Sequence, residues 1–261
     1  MQRTLVALAV AAASVISGSA MAWTANGTGG SVDLSGTLTP QDHVTPWEVA
    51  VGSVVDGLDG QVEKGARQVT VPVKQMISVL GIRTISKDAF NGANLITPQI
   101  DFKNAVDIDG FKAGDTTLTL DVMDKDSGSK IGKMTTTFTA AAAANWVTAD
   151  GQKSKFRVIA STTGWGFYGG VAKDASGVSP SPGVTAKEVF PAAVANYNEQ
   201  GIANWSNPAQ IKFDVSDSTY SGYYASGIAV GKEINITLDN PASGDVPINW
   251  KATLPVTVSY Q

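Results

Sequence analysis

Thr116-Thr117-Leu118-Thr119-Leu120-Asp121-Val122-Met123, a polar turn through Asp126 and Gly128, and a return leg from Ile131 to Thr139 decide the fold class. Apolar and polar residues alternate with period two, so Leu118, Leu120 and Val122 share one face of an extended strand. A polar, glycine-containing turn between two such legs is the pattern of a β-hairpin. The same alternation recurs in Val69-Thr70-Val71-Pro72-Val73, in Ile211 to Val215, in Ile234 to Leu238 and from Thr253 to Tyr260. Helical signal is sparse. Thr185-Ala186-Lys187-Glu188 has the form of a capping box opening a short helix toward Asn198, with Pro191 limiting its first part. Ser86 to Phe90 is expected to form one turn. The pattern predicts an all-β, antiparallel sandwich with a mixed insertion at about 146–222 that contains one or two short helices.

Composition removes whole classes of chemistry. The 261 residues include no Cys and one His, His43. Thiol nucleophiles, thiolate metal sites and disulfides are therefore excluded, and so is a multi-histidine metal site. Any Ser-His-Asp triad would have to pass through His43. A net charge of −4 lacks the basic footprint of a nucleic-acid binder. Gly164-Trp165-Gly166-Phe167-Tyr168-Gly169 has the spacing of a dinucleotide loop, but aromatics fill it and a polar Ser161-Thr162-Thr163 precedes it. Asp124-Lys125-Asp126-Ser127-Gly128 resembles the start of a calcium loop, yet Thr135 stands where the twelfth-position Glu belongs. No enzyme, cofactor or metal is expected.

The two ends carry more. Residues 1–22 combine Arg3, an apolar run from Leu5 to Ile16 and the small-x-small site Ala20-Met21-Ala22, the pattern of a cleaved secretory signal peptide. The apolar run is too short for the ~20 residues of a spanning helix. The mature chain is then Trp23 to Gln261, exported. Just inside it, Val32, Leu34, Gly36 and Leu38 fall on one face of an extended segment, with Asp33, Ser35 and Thr37 on the other. At the far end Leu254, Val256, Val258 and Tyr260 alternate in the same way.

Gly30-Ser31-Val32-Asp33-Leu34-Ser35-Gly36, Trp47-Glu48, Val51-Gly52 and Leu80-Gly81 form an ordered series of short islands. Arg83-Thr84, Lys87-Asp88-Ala89-Phe90, Gly128 to Gly132, Phe167-Tyr168-Gly169-Gly170 and Tyr224 to Gly231 continue it. Ile234, Trp250, Leu254, Val256, Val258 and Tyr260 complete it. Through these residues the chain resembles chaperone–usher fimbrial subunits of the FaeG-like family of adhesive enterobacterial fimbriae. The family's Tyr-Tyr ending is replaced by Tyr260-Gln261, and residues 140–222 share little beyond the Tyr-Gly-Gly island.

The resemblance implies an incomplete immunoglobulin-like sandwich lacking its last strand. It divides the chain into a signal peptide at 1–22, a donor-strand extension at 23–39 and a pilin domain at 40–261. Val32, Leu34 and Leu38 become anchors inserted into the groove of a neighbouring subunit, and Gly36 sits where a side chain would not fit. Leu254, Val256, Val258 and Tyr260 border that groove. The implied partners are neighbouring fimbrial subunits, a periplasmic chaperone and an outer-membrane usher, with passage through the periplasm to a cell-surface fimbrium and a role in adhesion. An N-terminal extension able to donate argues for a place within the fibre rather than at a lectin tip. In this family the insertion can bind a host glycoconjugate. Here Trp165, Phe167, Tyr168 and Trp205 are the candidate sugar-stacking rings, with Asn196, Asn198 and Asn204 as hydrogen-bonding neighbours. Two alternatives stand: a minor subunit with only an assembly role, and an exported glycan-binding sandwich that does not polymerise.

Overall fold

Period-two alternation becomes strand where expected, and the computed structural model describes residues 25–28, 32–39 and 44–261. The expected signal peptide at 1–22, and His43, lie outside these residues. In chain order the strands are β1 (Trp47–Val51), β2 (Gln68–Pro72), β3 (Ile77–Thr84), β4 (Phe90–Asn91), β5 (Pro98–Asp101) and β6 (Asp115–Asp124). They continue as β7 (Lys130–Val147), β8 (Lys153–Arg157), β9 (Thr219–Ile228), β10 (Glu233–Leu238), β11 (Trp250–Ala252) and β12 (Thr257–Tyr260). One helix, α1 (Pro182–Val189), and a 3₁₀ turn at Pro191–Val194 lie between β8 and β9. Among the described residues the ladders form a ten-stranded sheet with the path β1-β3-β9-β7-β10-β2 and a two-stranded sheet of β12 and β5. All these ladders are antiparallel. The fold is an all-β sandwich, and the chain divides at His43/Val44.

The hairpin that opened the sequence reading is β6–β7, in register Thr116↔Phe138, Leu118↔Thr136 and Leu120↔Met134. Its turn is closed by Asp124, whose Oδ1 accepts from the amides of Asp126 (3.1 Å) and Ser127 (2.7 Å). Those bonds from Ser127 hold the Asp124 carboxyl below its usual range. Gly128 follows at φ 70°, a left-handed conformation that suits glycine.

β7 runs well past the hairpin, through Ala140–Ala144. Alanine is a poor strand former, but here both faces are covered. Ala140, Ala142 and Ala144 face the main core, while Ala141 and Ala143 face a second core with Ala186 and Val189 of α1 and Tyr223 of β9. Small side chains let the helix lie close on the sheet. β7 and β9 pair from Thr139↔Gly227 to Val147↔Thr219. The insertion between them therefore spans 148–218, and Trp146 and Tyr220 belong to the sheet.

Four local expectations are corrected. Thr185 lies inside α1, which starts earlier with proline in its first turn; its hydroxyl pairs with Ser179 (2.7 Å) instead of capping. Pro191 limits α1, as expected, and begins the 3₁₀ turn. In place of a helical turn at 86–90, residues 85–88 form a bend with the Asp88 amide on the Ser86 hydroxyl (3.1 Å), and Phe90 begins β4. Ile211–Val215 buries Ile211 and Phe213 and exposes Lys212 and Asp214, yet it joins no ladder. Phe213 at φ 60° breaks the extended backbone there, and its carbonyl accepts from Ala93 instead (3.0 Å). The final segment is two strands, for the reason given below.

The main core centres on aromatic rings. Trp47 lies 5.1 Å from both Phe90 and Phe213 and 5.8 Å from Phe167. Its indole N–H donates to the Ile96 carbonyl (2.7 Å). Burial raises the phenol pKa of Tyr197, Tyr223 and Tyr224. The folded protein keeps these protons while the unfolded chain loses them above the ordinary value of 10.0, so stability falls as pH rises past 10. Denaturant unfolding from pH 9 to 11 should show that fall, and Tyr223→Phe should make it shallower.

Candidate subunit interface

The C-terminal stretch reaches its position by changing partners. β11 pairs with β6 (Trp250↔Asp124, Lys251↔Met123, Ala252↔Val122), and β12 pairs with β5 (Thr257↔Asp101 to Tyr260↔Pro98). Reciprocal backbone bonds between Thr97 and Gln261 (3.0 and 3.1 Å) close the end of the second ladder. Among the described residues no ladder covers the other edge of either strand. Leu254, Val256, Val258 and Tyr260 pack on the main core but remain only half-buried, while Thr253, Pro255, Thr257 and Ser259 are exposed.

β1 forms the opposite border. Among the described residues it pairs only with β3, from Trp47↔Thr84 to Val51↔Leu80. Trp47, Val49 and Val51 share one face, and Trp47 is buried in the core. Along the same face Val49 is already 40% exposed and Val51 61%. Burial raises the pKa of the Tyr260 phenol, and Thr45, two residues before β1, is near enough to lower it in part. Each of these strands thus leaves one edge without a ladder among the described residues and carries partly exposed apolar residues beside it, a surface with a partner missing. The sequence analysis singles out Leu254, Val256, Val258 and Tyr260 and does not single out Val49 and Val51. The alternation of Trp47, Val49 and Val51 was the available signal.

Residues 32–39 form no strand, and Val32, Leu34 and Leu38 are 86%, 93% and 97% exposed. A Cβ added to Gly36 would meet nothing within 4 Å. Any crowding at Gly36 must come from what this segment binds.

The candidate sugar-stacking rings separate. Phe167 is fully buried against Trp47, Phe213 and Tyr224, and its amide donates to the Pro98 carbonyl (2.7 Å). It cannot offer a face to a ligand, so it leaves the set. Trp165 and Tyr168 are half-buried, and Trp205 is exposed. The ammonium of Lys212 lies 5.0 Å from the Trp165 ring, and that of Lys155 lies 4.9 Å from the Trp205 ring. The Lys155 side chain is itself buried, bonded to Glu199 (3.1 Å) and the Ala203 carbonyl (3.2 Å). Asn196 donates to the Thr84 carbonyl (2.7 Å) and Asn198 to the Lys87 carbonyl (2.9 Å). Those amides hold the insertion on the sheet.

A residue the sequence analysis does not single out ties the insertion to β5. Gln99 of β5 is buried; its Nε2 donates to the Trp165 carbonyl (3.0 Å) and its Oε1 accepts from the Gly164 amide (2.9 Å). The Ile100 amide donates to the Tyr168 carbonyl (2.8 Å). The glycine-aromatic loop at 164–169 thus covers the edge of β5 that β12 does not use. Nothing in its residue types separates that role from a surface loop.

An all-β sandwich with an open apolar edge and an exposed alternating segment describes a protein built to join others. The whole chain, residues 1–261, matches the family described as "Fimbrial, major and minor subunit". It is similar over the full length of both chains to the K88 fimbrial protein AB of Escherichia coli (29% identity) and the K88 fimbrial protein AC (25%). The F41 fimbrial protein of Escherichia coli is 24% identical, also over the full length of both chains. The chain belongs to this family of fimbrial subunits, and is a structural component of a surface fimbrium rather than an enzyme.

Burial ranks the rings energetically. Phe167→Ala should lower the unfolding free energy by about 3–5 kcal/mol, as for a fully enclosed aromatic. Trp205→Ala should cost less than about 1.5 kcal/mol, since the ring is exposed and gains only its contact with Lys155. Urea unfolding of the two variants checks the order.

Proposed function

We propose that the subunit polymerises by donor-strand exchange. The observation that carries this is the coexistence of an exposed, period-two segment at 32–38 with ladder-free edges on β1 and β12, which in this reading border an accepting cleft. An extended segment of a second copy enters the cleft as an added strand, its main chain pairing with the free edge and its alternate side chains turned to the core. Val32, Leu34 and Leu38 are the anchors. At ~1.5–3 kcal/mol for each large side chain buried, they contribute roughly 5–9 kcal/mol before edge hydrogen bonds are counted. Gly36 falls between the anchors Leu34 and Leu38. In this reading the Leu254, Val256, Val258 and Tyr260 side chains form one wall of the accepting cleft, and Val49 and Val51 the other.

An unfilled cleft of this kind aggregates. Residues 1–22 act as the export signal, a periplasmic chaperone occupies the edge after translocation, and an outer-membrane usher exchanges it for the next subunit's extension. The chain then sits within the fibre, because it both donates and accepts. In adhesion, Trp165, Tyr168 and Trp205 on the insertion are the rings left with an accessible face for a host glycoconjugate.

Deleting residues 24–38 should leave a subunit that accepts a strand but forms no polymer by sedimentation. Fusing that segment to the C-terminus should give a monodisperse monomer with a markedly higher melting temperature. A chain that is a stable monomer without any added strand would overturn this reading.

A further inference from the structure

The outer face of the large sheet is covered over one part and bare over another. Above Ala141 and Ala143 of β7 and Tyr223 of β9, α1 packs as a second layer. Before Thr139 in β7, and across β6, β10 and β2, the alternate side chains that do not enter the core are exposed, with Thr137 half-buried. They are mostly hydroxyls and amides. Register sets Thr119, Thr135, Asn235 and Thr70 side by side in one row across the four strands. The Thr70 hydroxyl donates to the Asn235 side-chain carbonyl (2.9 Å) within that row. On one side of the row stand Thr117 and Thr137, with Glu233 beside them, one residue before the Ile234↔Thr136 pair. On the other side Asp121 stands opposite Lys133, and Lys133 opposite Thr237.

Charge is kept to the two ends of this face. The Lys130 ammonium bonds Asp121 (2.6 Å) and, with a smaller contribution from Lys133, holds its carboxyl below the usual range. Among the described residues Lys133 and Glu233 enter no ion pair. They mark opposite ends, Lys133 on β7 and Glu233 on the adjacent β10, with the threonine row between them. Interface centres are depleted of Lys, Glu and Asp because a charge is costly to strip of water. Threonine is cheaper to cover, since its hydroxyl both donates and accepts and its short side chain has few rotamers to lose. The chain is acidic, with a net charge of −4, so copies repel on average. On this face Lys130 and Lys133 balance Asp121 and Glu233, and that repulsion is absent.

We propose that this threonine face is a lateral contact between fimbriae, occupied by the same face of a second copy in a neighbouring fibre. A two-fold axis lying in the face along the Thr119–Thr70 row reverses the strands of one copy over those of the other. The Lys133 end of each copy then meets the Glu233 end of its partner. Two reciprocal Lys133–Glu233 pairs form, one on each side of a hydroxyl-lined centre. β7 and β10 are offset by one strand spacing, ~4.8 Å, which a lysine side chain spans. Four strands wide and five to six residues long, the face offers roughly 400 Å² on each copy. That is about half of the ~800 Å² per partner of a stable interface, so single subunits stay apart. Along a fibre the face recurs with every subunit, and contacts too weak alone add up when two fibres lie together. The contact requires only that subunits repeat along a fimbrium and is independent of how they join.

The test uses fimbriae assembled from the full chain, with bundling read by electron microscopy and low-speed sedimentation, and assembly by fibre length in the same images. Unaltered fimbriae should bundle, and less so as salt is raised; fimbriae that stay dispersed overturn the proposal. Lys133→Glu and Glu233→Lys should each lower the sedimenting fraction at least about fivefold, because like charges then face each other. Each changes the net charge of −4 by two and leaves the chain acidic. Repulsion set by net charge alone would make Glu233→Lys fimbriae bundle more, and that result overturns the proposal, as does unchanged bundling of either variant. The two dispersed preparations carry complementary ends and, once mixed, should bundle to within about twofold of the unaltered fimbriae. Continued dispersal of the mixture overturns the two-fold pairing. Should a single variant fail to assemble, Lys133→Glu/Glu233→Lys restores opposite charges within one chain. Bundling of that double variant supports the contact, and its dispersal overturns it.

Discussion

Backbone amides and carbonyls of β11 and β12 that face away from β6 and β5 meet no ladder among the described residues, and such groups have to be satisfied. An unpaired edge in water is tolerable when its side chains are polar. Here the same residues carry Leu254, Val256, Val258 and Tyr260 over the core. One physical demand, pairing, therefore coincides with another, burial, on a single strand. Any occupant must meet both at once, and an extended chain with alternating side chains is the simplest object that does.

How far this was legible follows from what each residue contacts. Leu118 and Val122 announce a half-buried strand because their alternation depends only on neighbours along the chain. The Leu254–Tyr260 border was equally readable, since Pro255 interrupts the ladder without disturbing the alternation. Ala140–Ala144 was silent: five alanines have no period, and only the helix lying across them explains a strand buried on both faces. Ile211–Val215 misled for the complementary reason. Its alternation is real in burial, but Phe213 in a left-handed conformation diverts the backbone from any ladder. Periodicity reports which side chains are inside; it does not report what the amides bond.

The rings of the insertion teach the same distinction at the candidate site. Phe167 and Trp165 are two residues apart in a loop of similar composition, and one fills the core while the other lies half-open beneath Lys212. The difference comes from Gln99 and Pro98 on β5, far off in sequence, which fix how the loop lies. Asn196 and Asn198 suggested ligand contacts for their amide chemistry alone. Their bonds to the Thr84 and Lys87 carbonyls show that the same chemistry attaches the insertion to the strand β3 end.

With no cysteine available, those side-chain bonds carry what a disulfide would otherwise secure. Asn145 donates to the Asn198 carbonyl (2.7 Å) and accepts from Gln200 (2.7 Å), which in turn accepts from Thr219 (2.7 Å). Each such bond contributes about 1 kcal/mol net, but breaking one leaves a buried partner unsatisfied at about 1–3 kcal/mol. A network of this kind therefore holds as a unit. Its position matters more than its sum. By fixing the loop at 164–169 over the outer edge of β5, the insertion satisfies Ile100 and Phe167 within the chain. Among the described residues the small β5–β12 sheet is then open on the β12 side alone. Residues with no contact to the free edge thus help decide where that edge is.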